Sequence, residues 1–297
     1  MVIWCVFLLL TLGQIFLAKV LEGRLGRVTV WLILFSVLGL MHWLTLEENA
    51  FLRMIWLCSV LMAGMKMVVY REWLHRNEAL TWWYWILFAC FWFGMDPGAF
   101  RTRRRVEWKS HVLTGGGCLL TGLLGVYICY HLDIRNVVVL FICMSLAFHF
   151  GVLRLLTGFW RMQGFPVRVL FRNPLVMCGF RDFWGKRWNL AYSQMMARTV
   201  KKPLTPLIGE KWSMFVVFVF SGLVHELAIT VPVGSGYGLP TAFFIVHGVF
   251  CCLEKKDTVI MGIICGVTLL AGLPYLFGEK FVEEIILPSR NVIEYFN

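Results

Sequence analysis

His225 and Glu226 lie side by side in an apolar run, residues 212–231, that is long enough to cross a bilayer. An ionisable side chain at that depth costs roughly 2.5–3.5 kcal/mol on insertion scales, so a chain that keeps one there usually has a use for it. An imidazole tolerates such a setting better than a carboxylate, and its ordinary pKa of about 6.5 suits general-base work. A histidine can also be a hydrogen-bonded core residue, but the adjacent acid argues against so plain a role. Neighbours in sequence point to different faces of a helix, so Glu226 cannot simply pair with His225. Its partner is expected among the arginines of the preceding loop, and two polar groups on separate faces suggest a hydrated cavity. Ser221, one turn earlier on the face of His225, has two readings: a bond to the imidazole or a back-bond to a helix carbonyl.

Other chemistries lose their support in the same stretch. Zinc hydrolysis needs H-E-x-x-H, and the chain reads His225-Glu-Leu-Ala-Ile229. No G-x-S-x-G elbow occurs, which removes the usual sign of a serine hydrolase. The 10 cysteines sit mostly in apolar stretches and form no C-x-x-C pair, so neither a disulfide framework nor a metal site is indicated. They read as small hydrophobes.

The elements that hold these residues are membrane helices. Of 297 residues, 59% are hydrophobic and 15% charged, against about 25% charged in a soluble domain. Length allows one membrane domain, 1–297, with its motif-bearing core at about 157–253. The net charge of +11 fits the excess of Lys and Arg in cytoplasmic loops better than a nucleic-acid partner. The first apolar run is followed by Lys19, Arg24 and Arg27 and reads as a retained first helix, not a cleaved signal.

Spans are expected near 2–18, 28–46, 51–70, 111–131, 136–156, 213–231, 239–253 and 258–277. A further run, 80–95, is rich in Trp and Tyr but shorter than the roughly 20 residues of an ordinary span. Charge decides its status. If 80–95 crossed, the basic stretch Arg101, Arg103, Arg104, Arg105 and Lys109 would face outside, against the positive-inside rule. If it re-enters or lies in the interface, every basic loop, including Arg24 and Arg27 beside Glu22, falls on the cytoplasmic side. The fold expected is therefore an all-α polytopic bundle of about eight transmembrane helices with a re-entrant or interfacial aromatic segment and cytoplasmic amphipathic helices.

The longest connection, 157–212, carries ten basic residues against Asp182 and Glu210, interleaved with aromatics such as Phe183, Trp184 and Trp188. That pattern describes amphipathic helices in the headgroup zone. Trp184, Trp188 and Phe183 either shape an entrance or only anchor those helices. No paired broken helices are visible in the two halves, which weakens a secondary-transporter reading.

Within that connection stands Arg181-Asp-Phe-Trp-Gly-Lys-Arg-Trp-Asn189, followed after about thirty residues by Phe220-Ser-Gly-Leu-Val-His-Glu226. The two motifs at this spacing resemble the membrane-bound O-acyltransferase superfamily, and more narrowly its wax synthase-like branch. The resemblance is specific from about Gly164 to Gly248. It implies acyl transfer from acyl-CoA to a hydroxyl, with His225 matching the family's catalytic histidine and Asn189 its second polar position. Arg181, Asp182, Trp184, Arg187, Trp188, Ser221 and Glu226 then belong to the substrate-binding surroundings, and the basic loop gains phosphates to bind. Two positions depart from the pattern. Lys186 stands where an arginine is usual, and His247 stands where many relatives have a glutamine, so the third polar contact is open.

The implied partners are acyl-CoA as co-substrate, a long-chain alcohol and the lipid bilayer, with no metal, nucleic acid or further cofactor. The product would be a wax ester. Acyl or acetyl transfer to a sterol, a diacylglycerol or another small alcohol is the alternative, and a proton-coupled transporter built on His225 and Glu226 the more distant one. Homodimerisation is open. The expected setting is a bacterial plasma membrane or the endoplasmic reticulum, the compact chain without a sorting tail favouring the former.

Overall fold

The computed structural model describes residues 2–21 and 23–290, without the side chains of 2, 23–25, 289 and 290. Glu22 and the side chain of Arg24, used above in the charge argument, lie outside the described residues. The chain is a multi-pass helical membrane protein. Among the described residues seven helical stretches are long and apolar enough to cross a membrane. They include α1 (Val2–Val20), α2 (Gly23–Leu44), α3 (Ala50–Leu74), and, after a short α4 (Trp82–Phe91), α5 (Lys109–His131) and α6 (Val137–Met162). A seven-residue helix α7 (Phe180–Lys186) precedes the long stretch Leu190–Val233. The expected span at 239–253 is a 15-residue helix, α10, and Val259–Phe281 forms α11.

Leu190–Val233 is not one rod. Gly209 has φ 79° and ψ 167°, a region open in practice to glycine alone. It divides the stretch into α8, residues 190–208, and α9, residues 210–228. In an unbroken helix Thr205 and Ser213 would be about 12 Å apart, yet their hydroxyls lie 3.0 Å apart. Tyr192 and His225, 33 positions apart, have ring centroids 6.2 Å apart. The two arms therefore run antiparallel from a turn at Gly209. Lys201 Nζ bridges that turn to Glu210 at 2.6 Å. Hydropathy places one span here and spreads the preceding loop on the surface. The structure instead brings the last third of that loop back along the histidine helix.

Helix α10 packs along α9 through two glycines. A Cβ at Gly222 would fall 2.6 Å from Thr241 Cα, and one at Gly248 would fall 2.8 Å from Phe218 Cβ. Backbones that approach this closely bring their side chains into one layer.

The aromatic segment 80–95 contains only a 10-residue helix, about 15 Å of rise and half a bilayer core. It is pinned from both sides by polar groups of the bundle. Lys66, with no exposed surface, donates to the carbonyls of Phe88, Trp92 and Gly94 at 3.0, 2.7 and 2.5 Å. They are a carbonyl of the last turn of α4, that of its C-cap and one in the extended chain just beyond, and a cation there is also favoured by the helix dipole. Lys19 donates to the Leu80 carbonyl, and Trp85 Nε1 to the Ile15 carbonyl at 2.9 Å.

Candidate active site

The carbonyl of Ser221, one turn back on α9, fixes the His225 ring. His225 Nδ1 lies 2.7 Å from it, and since a carbonyl only accepts, Nδ1 carries the hydrogen and Nε2 is left as an acceptor. The Ser221 hydroxyl takes no part in this. It donates to Val217 O at 2.8 Å, the back-bonding reading. Around the imidazole stand the Phe244 ring at 4.2 Å and the Tyr192 ring at 6.2 Å, centroid to centroid.

Among the described residues Glu226 has no arginine partner, which corrects that expectation. Its carboxylate caps the start of α10. Oε1 accepts from the Gly238 and Thr241 N–H groups at 3.1 and 3.0 Å and from the Thr241 hydroxyl at 2.7 Å, while Oε2 accepts from Thr230. A carboxylate suits a helix N-terminus, where free N–H groups and the positive dipole end meet. Glu226 thus ties the end of the histidine helix to the start of its neighbour, and its role is positioning.

Asn189 is the N-cap residue of α8, three residues after α7 ends at Lys186. It adopts φ 42°, ψ 62°, a left-handed conformation that asparagine tolerates better than most residues. Its Oδ1 accepts the Tyr192 N–H at 3.2 Å as an N-cap. The cap holds Tyr192 beside His225, which leaves Asn189 about one turn beyond the level of the imidazole.

The rest of the motif is largely architecture. Arg181 Nε donates to Cys251 O at 2.7 Å. Asp182 accepts from Arg187 and from the Cys178 N–H at 3.1 Å, and Lys186 stands 3.5 Å away. Burial alone would raise the Asp182 carboxyl, but the Arg187 and Cys178 hydrogen bonds and the Lys186 charge hold it below the ordinary aspartate value. Arg187 also reaches Asn173 O at 3.2 Å. Exposed cations of the loop, among them Arg168, Arg172 and Lys202, are free to meet phosphate.

Trp184 and Trp188 are half-buried and pack against the core from its edge. Trp188 stacks on Phe183 at 5.6 Å and meets Phe171 edge-on at 5.0 Å. Trp184 packs on Phe244 at 5.3 Å and on His247 at 5.6 Å. His247, 1% exposed, turns Nδ1 to Phe243 O at 2.8 Å, the device used by His225.

Three participants escape the sequence reading. Glu254 accepts from the Phe180 and Arg181 N–H groups at 3.1 and 2.8 Å, capping α7 from a distant loop. His149, in a π-turn of α6, lies 5.4 Å from Trp188 with a buried Nδ1 that has no partner among the described residues. The Tyr192 hydroxyl is likewise buried, near Ser221. The π-turn needs coordinates to be seen, and only the lone polarity of His149 within an apolar run could have flagged it. No group of three His, Cys, Asp or Glu among the described residues is placed to hold a metal ion.

Residues 167–246 match the membrane bound O-acyl transferase family. A probable long-chain-alcohol O-fatty-acyltransferase of Arabidopsis thaliana is 32% identical over 102 residues, 31% of this chain and 30% of the relative. A long-chain-alcohol O-fatty-acyltransferase of Simmondsia chinensis is 31% identical over 93 residues, 28% of this chain and 26% of its own. An acyl-CoA–sterol O-acyltransferase of Arabidopsis thaliana is 38% identical over 73 residues, 22% and 21% of the two chains. The match thus spans less than a third of each of these relatives, and the family match falls on the segment that builds the site.

Proposed function

From the match of residues 167–246 to the membrane bound O-acyl transferase family we propose that this chain belongs to that family and moves a fatty acyl group from acyl-CoA to the hydroxyl of a long-chain alcohol. The observation that carries the reading is the free Nε2 of His225. It is an acceptor fixed by the Ser221 carbonyl and faced by Phe244 and Tyr192 at the deep end of a helical hairpin.

In this mechanism the acyl-CoA headgroup lies among the exposed cations of the 157–212 connection and its thioester reaches the level of Asn189. The alcohol enters from the lipid side. His225 Nε2 takes the hydroxyl proton as the oxygen attacks the thioester carbonyl. The new C–O bond forms, the C–S bond breaks, and the CoA thiolate recovers the proton from the imidazolium. The Asn189 amide N–H groups, not used by its cap, donate to the developing oxyanion, a role whose loss costs about 2.7–4 kcal/mol where measured. No acyl-enzyme and no further cofactor is required, because a thioester is already activated. The aromatic wall keeps out water that would hydrolyse it.

The names of the long-chain-alcohol relatives support the acceptor class. The sterol acyltransferase relative keeps a sterol as the second reading. Purified protein given labelled palmitoyl-CoA and a panel of alcohols and sterols should release CoA thiol only when both substrates are present. His225→Ala should lower kcat by at least about 100-fold with the fold intact. Unchanged turnover would remove His225 from the chemistry, and proton flux without thiol release would favour transport instead.

A further inference from the structure

Arg53 stands in the first turn of α3 and is only 8% exposed. Its Nη1 donates to the Pro232 carbonyl at 3.3 Å and its Nη2 meets His42 Nδ1 at 3.0 Å. These contacts fix the guanidinium but do not offset its charge. Nε is buried without a partner, and among the described residues no carboxylate lies within ion-pair distance. A guanidinium keeps its charge in any protein setting. Burying such a charge is costly unless something pairs with it.

A cavity of about 540 Å³ adjoins this side chain, lined by Arg53 and Lys280 and also by Glu48 and Glu284. Its volume falls within the ordinary range of small-molecule sites, about 300–1,000 Å³. Lys280 and Glu284 stand 3.7 Å apart and serve one another. Glu48 is half-buried and, like Arg53, has no ion-pair partner among the described residues. Leu46 and Phe51, each 48% exposed, complete the wall. The charge rule puts this mouth on the face opposite the basic loops.

One unpaired charge of each sign in a single cavity narrows the choice of ligand. Inorganic phosphate would satisfy Arg53 and leave its own charge against Glu48. A simple cation would have the reverse fault. A group that carries both charges answers both, and the exposed Leu46 and Phe51 give apolar chains a surface to lie on. We propose that the cavity is a headgroup site for a zwitterionic phospholipid of the bilayer, its phosphate against Arg53 and its ammonium toward Glu48. The arginine fork suits a phosphate in particular. Through the Arg53 bond to Pro232 the lipid braces the short turn Thr230–Val233 that follows the histidine helix. It takes part in no covalent step.

The full chain, purified in detergent, is titrated with dioleoylphosphatidylethanolamine or with dioleoylphosphatidylglycerol, and bound lipid is counted by native mass spectrometry. The second lipid has the same chains and phosphate but no amine. Wild type should hold the ethanolamine lipid about tenfold more tightly, the worth of one charge-assisted contact. Arg53→Gln should weaken its binding by about tenfold or more. Glu48→Gln should cut the preference to about twofold or less. That variant changes a half-buried loop residue and covers the case in which the Arg53 variant fails to fold. Equal affinity of the wild type for the two lipids overturns the site, as does a preference that survives Glu48→Gln. Excess inorganic phosphate should leave the lipid in place; displacement would make this a site for free anions and overturn the proposal. None of these readouts needs acyl-CoA, so the site stands or falls apart from acyl transfer.

Discussion

His225 and Asn189 reach the site by different physical routes, and only one of them is open to inspection of the chain. A histidine in an apolar run announces itself by its desolvation cost. The lock on its tautomer does not, since it depends on a backbone carbonyl that every residue carries. Asn189 performs two tasks, a left-handed turn and an N-cap on Tyr192, and substitutions can separate them from chemistry. Asn189→Ala loses the cap and strains the turn, for a combined cost of about 2 kcal/mol. Asn189→Gly restores the turn and should recover most of the stability. If the amide serves the oxyanion, the glycine variant stays slow although its melting temperature recovers; activity that returns with stability would make Asn189 structural. Glu226 is the residue that composition misleads about most. An excess of arginine nearby suggests an ion pair, but the nearest unsatisfied positive end belongs to a helix.

At the level of elements, the helices were legible and their ends less so. Hydropathy locates α1 to α3, α5, α6 and α11 because burial in lipid imposes long apolar runs, whereas α10, expected as a span, is a shorter apolar helix of 15 residues. It cannot see α8 doubling back along α9, because the decision rests on a single glycine dihedral at 209. The short aromatic segment is a middle case. Charge arithmetic predicts that it does not cross, and Lys66 explains how it persists, by satisfying three carbonyls that water cannot reach. Lys66→Met should therefore destabilise the protein by about 1–3 kcal/mol, the cost of orphaned buried acceptors. The loss should appear as a lower thermal midpoint in detergent, and an unchanged midpoint would mean that the carbonyls find other donors.

For the whole molecule, the sidedness of charge gives a direct test. With 80–95 not crossing, residues 101–109 and the 157–189 approach share one side, and the Glu47-Glu48 loop takes the other. Protease sites inserted at 48 and at 104 should be cut from opposite faces of sealed vesicles; cleavage of both from the same face would show that the aromatic segment spans. The matched segment covers the hairpin, α7 and most of α10, so the upstream helices are recognised only as apolar scaffold. The hairpin has one more consequence. On opposing tines, His225 stands about 24 Å and Asn189 about 30 Å from their common base at Gly209. A tilt of about five degrees between those tines would displace the tips by about 2 Å, more than a reacting geometry tolerates. Inserting one residue into either tine would swing its tip by about 100° around the axis. The spacing between the two motifs is therefore a gauge length: the loops outside it can vary, but the count from Asn189 to His225 cannot drift without parting the pair.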